Sequence, residues 1–122
     1  MKLMIVDDSN IMRQAIEKYL ANKKFTLVGT ASDGETAMAL FKKQLPDIVT
    51  LDITMPKMDG LACLDQMLKI KPNTRILIIS ALKDPVTGLS ALKKGAKGFL
   101  PKPFTAVQLQ TEIDEILGDT MK

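Results

Sequence analysis

The sequence predicts a doubly wound α/β domain: a five-stranded parallel sheet, order 2-1-3-4-5, with five helices divided between its two faces. Three observations lead there. Apolar runs of strand length recur five times, and they are continuous rather than alternating, the pattern of strands covered on both faces. Segments of helical period separate the runs in strict alternation, which implies parallel strands joined by crossover helices. At 122 residues, 46% of them hydrophobic and 25% charged, the chain has room for one well-filled domain, expected to span 1–122.

Each element follows in order. The first strand covers residues 3–6 and stops at Asp7-Asp8. A first helix begins after Ser9, a good N-cap, and its apolar face is read as Ile11, Met12, Ala15, Ile16, Tyr19 and Leu20. The second strand is placed at 26–28, and Ala37, Leu40 and Phe41 mark the helix after it. Residues 48–51 form the third strand, with Leu61, Leu64 and Leu68 on the third helix. The fourth strand is 76–79, and Asp84-Pro85, a cap followed by proline at the first helical position, opens a helix carrying Leu89 and Leu92. Phe99-Leu100 is the fifth strand, and Pro101, which cannot donate to a ladder, suits the end of an edge strand. The last helix opens near Thr105 and carries Leu109, Ile113, Ile116 and Leu117. Eight scattered methionines are read as core filling, and Cys63 as a buried, inert thiol.

Composition removes several functions. A net charge of +3, from 17 basic and 14 acidic residues, gives no support to nucleic-acid binding. One cysteine cannot form an internal disulfide, which fits a reducing cytoplasm. The apolar N-terminal run is too short for a signal peptide or a membrane span. With no histidine, imidazole-based catalysis and imidazole metal sites are excluded.

The remaining chemistry gathers at the strand ends. In open α/β sheets the ligand site lies beyond the carboxyl ends of the strands, where strand order reverses. Asp7 and Asp8 end the first strand and Asp52 the third, so three carboxylates converge on that point. Clustered anions repel unless a cation joins them, and an all-oxygen set suits a hard divalent ion such as Mg2+. Ser80 ends the fourth strand and Lys102 follows the fifth, adding a hydroxyl and an ammonium. Phosphoryl transfer spreads negative charge over equatorial oxygens, which the metal and Lys102 could neutralise while Asp52 serves as nucleophile. Singly, such an aspartate is a helix cap, such a serine structural and such a lysine a solvated charge. Four strand ends carrying this set in order point to one phosphoryl site.

These residues closely resemble the receiver domains of bacterial response regulators along essentially the whole chain. The motifs are Ile5-Val6-Asp7-Asp8-Ser9; the long segment from Pro46-Asp47-Ile48 through Leu51-Asp52-Ile53-Thr54-Met55-Pro56 to Met58-Asp59-Gly60; Ile79-Ser80-Ala81; and Lys102-Pro103-Phe104. The resemblance implies a flavodoxin-like fold of the CheY type with Asp52 as phosphoacceptor. It implies Mg2+ held by Asp8, Asp52 and the Thr54 carbonyl, with Asp7 acting through water. Ser80 would bond the phosphoryl oxygen, Lys102 would pair with its charge, and the Lys102-Pro103 bond would be cis. Ser80 and Phe99 would form a switch, the aromatic turning inward when the hydroxyl is drawn to the site. Phe99 stands where tyrosine is frequent, and Thr54 and Leu82 occupy positions that tune autodephosphorylation in the family.

The implied partners are a histidine kinase as donor and a protein target on the face of the fourth helix, fifth strand and fifth helix. Lys93, Lys94 and Lys97 cluster there, either as a solvated basic face or as a guide for an acidic partner. The chain ends soon after the fifth helix, so output is expected through protein binding by a monomer, without direct contact to nucleic acid or membrane. Among single-domain receivers the resemblance is to the chemotaxis type, whose target is a flagellar switch protein. A phosphorelay intermediate serving a histidine phosphotransfer protein, or a domain cut from a longer regulator, is the alternative. A flavin binder would not put Asp7-Asp8 where the phosphate sits, and an aspartyl-phosphate phosphatase would need a cap domain. A receiver-shaped binding module without phosphorylation is disfavoured by the intact acidic set. The resemblance therefore implies a phosphoacceptor switch with slow autodephosphorylation rather than an enzyme with a substrate.

Overall fold

Alternation hidden inside the continuous apolar runs decides which helix covers which face. The computed structural model describes residues 1–21, 25–54, 60–81 and 85–121. Its strands are β1 (Lys2–Val6), β2 (Thr26–Ala31), β3 (Ile48–Asp52), β4 (Arg75–Ser80) and β5 (Gly98–Pro101). All neighbouring pairs are parallel and the order is β2-β1-β3-β4-β5, as expected. The helices are α1 (Asn10–Tyr19), α2 (Gly34–Gln44), α3 (Gly60–Ile70), α4 (Pro85–Lys93) and α5 (Ala106–Met121). Leu3 and Ile5 of β1 join Ile16 of α1, Leu20 just after it, and Leu109 and Ile113 of α5 in one core. Met4 and Val6, on the other face, join Phe41 of α2, Leu64 and Met67 of α3 and Ala91 of α4 in a second. The sheet thus separates an α1/α5 layer from an α2/α3/α4 layer.

Helix ends follow their capping chemistry. Ser9 Oγ accepts the Met12 amide at 3.2 Å, as its place before α1 predicts. Thr105 and Gln108 cap α5 reciprocally, at 2.8 Å into Gln108 Oε1 and 3.1 Å into Thr105 Oγ1. At the amino ends of the strands, Lys71 Nζ ties the Leu45 and Pro46 carbonyls to Asp47 at 2.9–3.1 Å. The Lys2 amide bond to Asp47, then Lys71 itself, holds that carboxyl below its ordinary pKa.

Several expectations need correction. Ile11 is 80% exposed, because at about 100° per residue it lies roughly 140° around α1 from Ile16. Leu89 and Leu92 are also exposed, because α4 turns its small residues, Gly88 and Ala91, to the sheet. A Cβ on Gly88 would sit 3.3 Å from the Phe99 ring, so an inward side chain there would press against the ring. The strand at 26–28 continues to Ala31 through a register shift in which Met4 pairs with Gly29. Met4 and Met67 are core residues, whereas Met1 is exposed. Cys63 is buried. Residues 55–59, Leu82 and Asp84 lie outside the described residues.

One buried polar atom stands apart. The Thr50 hydroxyl, in β3 between Ile5 and Leu77 of the adjoining strands, has no hydrogen-bond partner among the described residues. An orphaned hydroxyl is a desolvation penalty, so Thr50→Val is expected to stabilise the fold by about 1 kcal/mol. Chemical denaturation would show an unchanged slope with a later midpoint; an earlier midpoint would mean that the hydroxyl is satisfied.

Candidate functional site

Parallel strands end together, so the residues that end or directly follow β1, β3, β4 and β5 meet at one rim of the sheet. Asp7 directly follows β1, Asp52 is the last residue of β3, Ser80 the last of β4, and Lys102 follows β5. Asp7 and Asp52 are almost fully buried, at 0% and 2% exposure, whereas Asp8 is exposed. Lys102 Nζ donates to Oδ2 of both buried carboxylates at 2.9 Å. Its amide donates to the Ser80 carbonyl at 2.8 Å, extending the β5 pairing by one residue and carrying the side chain back over the rim. The Lys102-Pro103 peptide is cis, in line with the expectation.

The other carboxylate oxygens are fixed from the main chain. Asp7 Oδ1 accepts the Ser9 amide at 2.9 Å, and Asp52 Oδ1 accepts the Thr54 amide at 2.8 Å. Both are bonds to the residue two positions on, the Asx-turn pattern, repeated at two strand ends. The Thr54 hydroxyl adds a bond of 2.6 Å to Asp52 Oδ1. Asp52 is therefore held by three donors.

Burial pushes the Asp7 carboxyl above its ordinary pKa, against the lowering effect of its bonds to Lys102 and Ser9, and the Asp52 charge adds to the rise. Burial works against the Lys102 charge, but hydrogen bonds and charge from Asp7 and Asp52 hold its pKa above the usual lysine value. Burial thus sets the direction for Asp7, and the two carboxylate partners set it for Lys102. Asp7, Asp8 and Asp52 each offer an oxygen, and these atoms lie within 4.8 Å of one another. A compact, hard, all-oxygen set with one member open to water fits Mg2+, which keeps several of its waters.

The structure brings Asp7, Asp8, Asp52, Thr54 and Lys102 together, with Ser80 buried one strand from Asp52. Phe99 is separate from them: it is half-buried and packs with the α2/α3/α4 core. Of the basic trio, Lys94 pairs with Asp65 of α3 at 3.1 Å, while Lys93 and Lys97 are exposed. Sequence reasoning missed Arg13, whose Nη1 donates to the Asp7 carbonyl at 2.6 Å, and the Thr54 hydroxyl bond. A hydroxyl residue two positions after an aspartate was a readable signal for the second.

Residues 3–114 match the family model for the response regulator receiver domain. The chain is 42% identical over 106 residues to the chemotaxis protein CheY of Listeria monocytogenes, covering 87% of this chain and 89% of that protein. It is 34% identical over 115 residues to CheY of Thermotoga maritima, covering 94% and 96%. Among solved structures it resembles the CheX-CheY-BeF3-Mg complex from Borrelia burgdorferi, with a TM-score of 0.90 and 36% identity over 95% of this chain and 88% of that one. Among the described residues, no helix is long and apolar enough to cross a membrane.

Proposed function

Because the chain belongs to the response regulator receiver family, we propose that it is a phosphorylation switch whose acceptor is Asp52, charged from a histidine kinase in a Mg2+-dependent reaction. The observation that carries this reading is the Lys102 ammonium bridging Asp7 and Asp52 at 2.9 Å, beside a third carboxylate. An Asp52 oxygen attacks phosphorus, the bond from phosphorus to the kinase imidazole breaks, and its electron pair stays with the nitrogen. Asp7, Asp8, Asp52 and the Thr54 carbonyl would hold Mg2+, which when bound supplies positive charge beside the equatorial oxygens. Lys102 exchanges a carboxylate partner for a phosphoryl oxygen, placing its charge where negative charge develops. Thr54 N–H and Oγ–H keep the carboxylate in one orientation for attack.

The output proposed is protein binding. Ser80, drawn toward the phosphoryl group, would free the space that Phe99 enters. The Phe99 ring lies where a Cβ on Gly88 of α4 would come within 3.3 Å of it, so a change at the ring would bear on that helix. The face of α4, β5 and α5 presents Val86, Leu89 and Leu92 with Lys93 and Lys97, an apolar stripe edged with positive charge. Such a face suits an amphipathic acidic segment, and the chemotaxis relatives make a flagellar switch protein the proposed target. Autodephosphorylation would return the switch to rest.

Intact-mass spectrometry after incubation with acetyl phosphate tests the chemistry. The wild type is expected to gain the mass of one phosphoryl group only with Mg2+, and Asp52→Asn to gain nothing. Labelling of the Asn variant, or labelling without metal, would overturn the assignment.

A further inference from the structure

Asp8 differs from its two neighbours in how it is held. Asp7 and Asp52 are pinned by Lys102 and by main-chain amides, whereas Asp8 is exposed and makes no hydrogen bond or ion pair with the described residues. Its direction therefore depends on the backbone of the β1–α1 turn. Arg13, on the first turn of α1, spans that turn. Its Nη1 donates to the Asp7 carbonyl at 2.6 Å and its Nη2 to Asn10 Oδ1 at 3.3 Å. Asp8 and Ser9 lie between these two acceptors. A guanidinium is planar with donors in a fixed fork, so two simultaneous bonds set the relative direction of the groups they join.

We propose that Arg13 is a positioning residue for the metal site, fixing the turn so that the Asp8 carboxylate faces Asp7 and Asp52. The inference rests on the Mg2+ reading above and adds to it the element that orders the site before the ion arrives. The choice of acceptor supports it. A cation serving only to neutralise the cluster would bond a carboxylate, as Lys102 does, but Arg13 is directed at a carbonyl. Charge and geometry also make opposite demands. Removing a positive charge beside three carboxylates strengthens cation binding, while loosening the turn weakens it.

The test is a Mg2+ titration of the full chain by calorimetry, with wild type, Arg13→Ala and Arg13→Lys, and a thermal melt of each without metal. The Ala variant is expected to bind Mg2+ roughly tenfold more weakly, the scale on which lost outer partners act on metal sites. The Lys variant, which keeps the charge but not the fork, should also bind more weakly. Unchanged affinity in a folded Ala variant would reduce Arg13 to a scaffold residue, and tighter binding would mean that its charge acts alone; either overturns the proposal. Should the Ala variant fail to fold, wild-type affinity in the Lys variant overturns it as well. A wild type that binds no Mg2+ would remove the metal reading and this inference together. That result is distinct from a wild type that binds beside an unaffected variant.

Discussion

Lys102→Met is expected to melt roughly 10 °C below the wild type at neutral pH without metal, a cost of about 3 kcal/mol. The ammonium is the shared partner of two carboxylates that are 0% and 2% exposed. Methionine would fill much of the same space, so the loss is electrostatic. Two buried anions would face each other with Mg2+ as their natural replacement counterion. The direction with pH follows from proton affinity. Losing Lys102 removes an influence that lowers the Asp7 pKa, so burial and the Asp52 charge would raise it further. A carboxyl with a raised folded pKa stabilises fully below its unfolded pKa, and that stability is lost as pH rises through the folded value. The deficit of the variant should therefore shrink on acidification, and also on adding Mg2+. Equal melting of variant and wild type at neutral pH would show that solvent already screens the pair.

The second large effect is steric. A Cβ on Gly60 would lie 2.5 Å from the Ile53 Cβ and 2.6 Å from its Cα. A flexible side-chain tip could yield, but a main-chain carbon cannot without moving its neighbours, and those neighbours are Asp52 and Thr54. Gly60→Ala should destabilise the fold by about 3 kcal/mol even though alanine is the better helix former. The same displacement would disturb the Thr54 bonds that orient Asp52, so acetyl phosphate labelling should slow in whatever fraction remains folded. A variant with wild-type melting and labelling would mean that α3 starts farther from β3 than this geometry requires.

Much of the architecture was legible because topology turns order along the chain into position in space. Once five strands alternate with five helices, the residues at the carboxyl ends of β1, β3, β4 and β5 must share a rim, and Asp7, Asp52, Ser80 and Lys102 end or directly follow those strands. What failed was the assignment of faces where apolar residues occupy more than one side of a helix. Ile11 is read onto one apolar face with Met12 and Ile16, yet the angular step of the helix turns it away. Leu89 and Leu92 mark α4 by hydrophobicity, but the face it turns to the sheet carries Gly88 and Ala91. The apolar run of β2 stops at Val28, while the strand carries on to Ala31 by letting Val28 bulge. Arg13 was invisible for another reason: its acceptor is a carbonyl, which every residue has, so no residue type marks the pairing.

The strand order also governs when function becomes available to a newly made chain. β1 is synthesised first yet lies inside the sheet, between β2 and β3. Its edge partner arrives early, but the ammonium that closes the rim over Asp7 is 95 residues away along the chain. Contacts of that separation form late, after the intervening loops have been closed. A growing chain that has emerged only as far as β3 already carries all three carboxylates and lacks the cation that holds them. The charge balance of the rim is thus completed only when β5 takes its place at the far edge, and the proposed acceptor site is complete only then.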